Sequence, residues 1–127
     1  MRLQSLVGGK ATIVGPEATL AEAAAHMVEQ GVDSVAVVAE RSLVGILTEH
    51  DVVVAVADGA DLEDELVSQW MTEAPDTVGA DIPVREAVAW LMQTGYRHLP
   101  VVDGTEILGI VTVRDLLWVI AGDEGTG

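Results

Sequence analysis

Gly109-Ile110-Val111-Thr112-Val113-Arg114-Asp115 has a twin 64 residues earlier, Gly45-Ile46-Leu47-Thr48-Glu49-His50-Asp51. In each, a short apolar run follows the glycine. Thr-x-x-Asp comes next, and a second apolar run after it. The first run reads as a strand and the second as a helix. A hydroxyl and a carboxylate are thereby delivered to the start of a helix, twice.

Working outward, residues 11–56 align with 75–120 without a gap, and 12 of the 46 pairs are identical. The doubling sets the architecture, because each copy is one supersecondary unit. Leu20, Ala23, Ala24, Met27 and Val28 fall on one helical face, and Val84, Ala87, Val88, Leu91 and Met92 repeat it. Both stripes are expected to be core. Thr19-x-x-Glu22 reads as a capping box. Pro83 stands at the second helix start, where proline is tolerated. Gly31 and Gly95 suit helix stops.

A β-branched run follows each helix, Val35 to Val38 and Leu99 to Val102. The polar turns Ala39 to Ser42 and Asp103 to Glu106 come next. The runs Leu43 to Leu47 and Ile107 to Val111 then return, as in a hairpin. Helices are expected over Val52 to Ala57 and Leu116 to Ala121. Short extended pieces, Ala11 to Val14 and Asp76 to Val78, precede the units. Each unit is β-α-β-β-α, an α/β (α+β) fold. Strands this apolar want cover on both faces, so two pseudo-symmetric halves packed sheet to sheet, with two inter-repeat clefts, are expected.

The expected division is 1–57 for the first repeat, 58–71 for an acidic linker, 72–121 for the second repeat and 122–127 for a disordered tail. In the linker Leu62, Leu66 and Trp70 recur at helical spacing, which predicts a short helix that connects and covers. Five acids between Asp58 and Glu65 suit its start.

With 127 residues, half of them hydrophobic, a core can be built. No apolar run approaches the ~20 residues of a membrane helix. Met1-Arg2-Leu3-Gln4 opens no signal-peptide pattern, so a cytoplasmic location is expected. Without cysteine, neither thiol catalysis nor a disulfide is available. Net charge is −15, from 21 acids against 6 bases. That balance opposes binding to nucleic acid, which Lys and Arg drive, and to anionic membranes. There is no phenylalanine and one tyrosine, too few aromatics for base stacking. The three histidines have no ligand spacing, so no metal is expected. No Ser-His-Asp order, P-loop or GxGxxG is present, and an enzyme is not expected.

Leu99-Pro100-Val101-Val102-Asp103, Gly109-Ile110-Val111-Thr112-x-x-Asp115, the lead-in Trp70-Met71-Thr72-Glu73-Ala74-Pro75 and the ungapped doubling resemble the CBS-domain pair, or Bateman module, over roughly Leu6 to Ala121. The resemblance implies a stand-alone regulatory module acting on a partner in trans. It implies binding of AMP, ADP, ATP or S-adenosylmethionine between the repeats, no required cofactor, and pairing into a homodimer. The exposed apolar character of helices 52–57 and 116–121, with Trp118 and Ile120, marks them as the dimer surface.

Carried over residue by residue, one cleft uses Thr112 and Asp115, with Arg97, His98 and Arg114 placed for phosphate. Its other wall is Thr12, Ile13, Val14, Ala18 and Ala23. The second, weaker cleft uses Thr48, Asp51 and Ser34, with Thr77, Val78, Ile82 and Ala87 opposite. A carboxylate can accept both hydroxyls of a ribose, and a helix N-terminus suits a phosphate. Glycine just upstream lets a ligand approach the backbone. Asp33 and Glu49 repel phosphate in the second cleft, and Ala36 and Ala39 depart there from the family's Pro and Asp. The first cleft is therefore the expected nucleotide site.

Against this stands a ligand-free reading. Thr-x-x-Asp is also a helix cap, contributing ~0.5–2 kcal/mol by itself. A structural dimerisation module with vestigial clefts is the alternative.

Overall fold

The computed structural model describes residues 2–7 and 11–126. The chain folds as two compact units. One comprises residues 11–75 with 105–107, and the other residues 1–10, 76–104 and 108–127. They are called the first and second units below.

In the first unit, β1 (Ile13–Val14) leads to α1 (Leu20–Gln30), and the hairpin β2 (Ser34–Ala39) and β3 (Ser42–Thr48) precedes α2 (Glu49–Ala57). A short helix α3 (Val67–Trp70) and an edge strand β4 (Thr72–Glu73) complete it. The sheet order is β1-β2-β3-β4. β1 runs parallel to β2, with Ile13 opposite Ala36, and the other pairs are antiparallel. The second unit repeats the plan with β5 (Val78–Gly79), α4 (Val84–Thr94), β6 (His98–Asp103), β7 (Glu106–Thr112) and α5 (Val113–Thr126), in a β5-β6-β7 sheet.

The local signals act as the sequence indicates. The Thr19 hydroxyl accepts from Glu22 N at 3.1 Å. Gly31 and Gly95 end their helices in the left-handed region, at φ 68° and 77°, where glycine carries no Cβ penalty. Leu20, Ala23, Met27, Val35, Val37 and Leu47 form the first core, and Val84, Ala87, Leu91, Leu99, Val101 and Val111 the second.

Five expectations are corrected. Val28 and Met92 are 83% and 80% exposed rather than core. They lie at the rim of their stripes, one position beyond the buried Met27 and Leu91. The linker is not one helix. Asp61 O accepts from Asp64 N and Glu65 N in a turn, and Leu66 is extended, at ψ 150°. The linker carbonyls have other work: Glu65 O and Leu62 O accept from Leu20 N and Ala21 N, free donors at the start of α1. β4 was not foreseen. The first hairpin turns on two residues, Glu40 and Arg41, both at positive φ (50° and 69°). That places non-glycine residues where Asn-Gly is favoured. Finally, α2 and α5 begin directly after Thr48 and Thr112, and the backbone of α5 stays helical to Thr126, through the stretch expected to fray. Gly127 and the side chain of Ile120 lie outside the described residues.

The doubling also extends further than the alignment. Leu3 N donates to Ile82 O and Gln4 N to Ala80 O, at 3.0 and 2.9 Å. Sixty-four residues on, Val67 N donates to Ala18 O and Ser68 N to Pro16 O, at 2.8 and 3.1 Å. Leu3 and Val67 are both fully buried. Segment 2–7 thus plugs the second core as segment 66–71 plugs the first. Burying each side chain stabilises by about 1.5–3 kcal/mol.

Candidate functional site

Both Thr-x-x-Asp turns close as capping boxes. In the first unit Thr48 N donates to Asp51 Oδ2 at 2.8 Å, and Asp51 N donates back to Thr48 Oγ1 at 3.3 Å. In the second, Thr112 N reaches Asp115 Oδ2 at 2.9 Å and Asp115 N reaches Thr112 Oγ1 at 3.1 Å. The strand before each helix adds a third tie. Asp33 O accepts from Glu49 N, and Arg97 O from Val113 N, at 2.9 and 3.1 Å. Free donors at the two helix starts are satisfied by these bonds.

The boxes differ in what remains. The Thr48 hydroxyl also donates to Asp51 Oδ2 at 3.1 Å, and Asp51 is half-buried. Thr112 makes no such bond to Asp115, and Asp115 is exposed. In both carboxylates one oxygen, Oδ2, does the capping, so capping does not exhaust the group.

The bond from Val113 N to Arg97 O brings the strand start beside the helix start. Arg97, His98, Thr112, Arg114 and Asp115 therefore share one end of the second unit, and Arg97 and Arg114 are exposed. His98, the first residue of β6, is half-buried and engaged in an interaction of its own. The matching end of the first unit carries Asp33, the buried Ser34, Thr48, Glu49, His50 and Asp51. One end is cationic apart from Asp115. The other is mainly anionic.

The remaining expected site residues are less uniform. Thr12 and Ala18 are half-buried, Thr12 O accepting from Ala36 N, and Ile13 is exposed. Thr77 is exposed, and Val78 and Ile82 pack partly against the second core. Ala23 and Ala87 are fully buried and Val14 nearly so, all within the cores. Their side chains fill the cores of the two units.

Gly45 and Gly109 have a use that the sequence alone does not reveal. A Cβ on Gly45 would run into Met71 Sδ and lie 3.0 Å from Thr72 O, and one on Gly109 would run into Val7 Cγ1. The close approach is made by the chain's own segments, Met71 in one unit and Val7 in the other, rather than by a ligand. The signal was present as the 64-residue spacing of Val7 and Met71, but short apolar residues carry no register.

Among the described residues, no group of three His, Cys, Asp or Glu side chains is placed to hold a metal ion. No helix among them is long and apolar enough to cross a membrane.

The family profile of the CBS domain matches residues 9–58 and 67–122. An uncharacterized 17.7 kDa protein of Acidianus ambivalens is 35% identical over 117 residues, which cover 91% of this chain and 70% of that one. Two other relatives, 38% and 35% identical, are longer, and the chain spans 55% and 24% of them. Among solved structures, a hexameric CBS-CP12 protein from bloom-forming cyanobacteria matches at TM-score 0.84 and 27% identity, over 93% of this chain and 70% of that one. A CBS domain protein of Pyrobaculum aerophilum, complexed with AMP, matches at TM-score 0.85 and 24% identity, over 96% and 99%. With two family matches over most of its length and two units built to one plan, this chain belongs to the CBS-domain family and carries the domain as a tandem pair.

Proposed function

We propose that this chain is a cytoplasmic regulatory module without catalysis of its own. It binds a phosphorylated adenosine at the Thr112–Asp115 end of the second unit and acts on a partner in trans. The observation that carries this reading is the contrast between the boxes. Asp115 is exposed and caps through one oxygen, and Arg97 and Arg114 stand at the same end. A ribose diol needs such an acceptor, and a phosphate needs such cations. The AMP complex of a protein with the same fold makes AMP the first probe. The Thr48–Asp51 end is the weaker site. An uncharged or cationic adenosyl group such as S-adenosylmethionine suits it better than a phosphate.

The test is thermal stability with AMP, ADP, ATP, NAD and S-adenosylmethionine. A ligand at about 100 times its dissociation constant stabilises by ~2.7 kcal/mol. No shift with any of them at millimolar level refutes the sensor reading. The second reading, a structural homodimerisation module, then stands. Its support is that both turns are complete caps without a ligand. Either way the chain pairs with a second copy. Val53 and Val56 on α2, 61% and 56% exposed, and Leu117 and Trp118 on α5, 60% and 81% exposed, are the apolar side chains that a second copy would cover.

A further inference from the structure

We propose that Met71 is a site of reversible oxidation, and that its sulfoxide unlocks β4 from the first unit. The second unit, where Val7 holds the matching place, is left unaffected. Neither outcome requires a nucleotide, so the device is independent of the sensor reading.

The chain holds no cysteine and four methionines, so its sulfur redox chemistry rests on thioethers. The three methionines among the described residues differ in place. Met27 is 6% exposed in the first core, Met92 is 80% exposed, and Met71 is half-buried between α3 and β4. An oxidant meets Met92 freely and Met27 hardly at all. Met71 lies between these limits, and its sulfur is closely packed. A Cβ built on the buried Gly45 would run into Met71 Sδ, and would lie 2.9 Å from Met71 Cγ and 3.0 Å from Thr72 O. The sulfur therefore fills the space that a side chain would take over β3.

A thioether suits that place because it is apolar and only a weak acceptor. Hydrogen peroxide changes it. One peroxide oxygen bonds to sulfur as the O–O bond breaks. Sulfur loses two electrons, and the other oxygen leaves as water. The new oxygen is a strong acceptor beside Thr72 O, which is an acceptor too. The adjoining backbone is already engaged. Gly45 and Ile46 pair with Glu73 and Thr72, and Ala74 N donates to Val44 O at 3.1 Å. An acceptor left without a donor is costly. β4 pairs with β3 through Thr72 and Glu73, a short contact that resists release weakly. Its release is felt further along the chain. Met71 follows Val67 and Ser68, whose N–H groups tie the loop at Pro16 and Ala18, and Gly45 lies three residues before the capping Thr48. Val7, over Gly109, has no sulfur to oxidise.

The probe is hydrogen peroxide on the full chain, with the oxidised positions mapped by peptide mass spectrometry. Met71 and Met92 each gain one oxygen. The melting temperature falls by at least about 4 °C. Amide exchange quickens over β3 and β4, residues 42–48 and 72–73, while β7, residues 106–112, stays protected. Methionine sulfoxide reductases for both epimers reverse these changes. Met71→Leu, close in volume, keeps its melting temperature after the same treatment, whereas Met92→Leu loses it as the wild type does. Met71→Val, which copies the residue at the twin position, repeats the measurement if the leucine variant folds poorly. A Met71 that stays reduced when Met92 is fully converted overturns the proposal. So does an oxidised wild type that melts as before, or a Met71→Leu chain that falls as far as the wild type. Exchange that quickens alike in both units overturns it too.

Discussion

The two units share a plan and differ in electrical character. Thr48–Asp51 and Thr112–Asp115 occupy the same place, cap the same helix and use the same carboxylate oxygen. Yet one turn is half-buried, with its hydroxyl bonded inward, in a unit of 14 acids and one base, net −13. The other is exposed, beside two arginines, in a unit of 7 acids and 5 bases, net −2. Duplication preserved what folding needs from Thr-x-x-Asp and let the surroundings diverge. The cap is therefore a constraint of the fold, and function is legible only in the difference.

The largest expected effects probe what the units share. Leu3→Ala should lower unfolding free energy by about 2–5 kcal/mol, read by chemical denaturation. Val67→Ala should do the same to a smaller extent. If Leu3→Ala is neutral, segment 2–7 is no part of the second core and the extended symmetry fails. Next, Gly45→Ala should destabilise by about 1–3 kcal/mol, as overpacking does, and by more than Gly109→Ala. The added methyl meets a backbone carbonyl held in β4 as well as Met71, whereas at Gly109 it meets Val7.

The functional contrast is sharpest in Asp115→Asn and Asp51→Asn. An amide oxygen can still cap, so both variants should fold. Asp115→Asn should weaken AMP at least about tenfold, or ~1.4 kcal/mol, and Asp51→Asn should leave it nearly unchanged. Calorimetric titration giving the reverse ranking would transfer the nucleotide to the first unit. The smallest effect concerns the hairpins. Gly104, at φ 64°, stands where the first hairpin has Glu40 at φ 50°. Glu40→Gly should raise the melting temperature slightly, by the equivalent of about 1 kcal/mol or less, because glycine removes a left-handed strain.

The candidate site was legible in part. Thr112 and Asp115 announce themselves because a cap is a local device, read within four residues. Arg97 and Arg114 stand out because bases are scarce in this chain. Ala23 and Ala87 did not separate from the site residues, because a small apolar side chain reads alike in a core and in a cleft wall. Val28 and Met92 looked like core because helical periodicity gives a direction but not the width of the surface that covers it.

Sequence alone determined the doubled β-α-β-β-α plan, the stops of α1 and α4 at Gly31 and Gly95, and the places of both capping turns. These follow from periodicity, glycine conformational freedom and side-chain-to-backbone bonds, all acting within a few residues. Only the tertiary structure decided that segments 2–7 and 66–71 plug the two cores, that Val7 and Met71 occupy the space over the matching glycines, and that one carboxylate is exposed while its twin is half-buried. Those contacts join residues as far apart as Val7 and Gly109, 102 positions along the chain. They are held largely by backbone hydrogen bonds and generic apolar burial, which almost any residue of the right size can supply and which therefore leave little trace in the sequence.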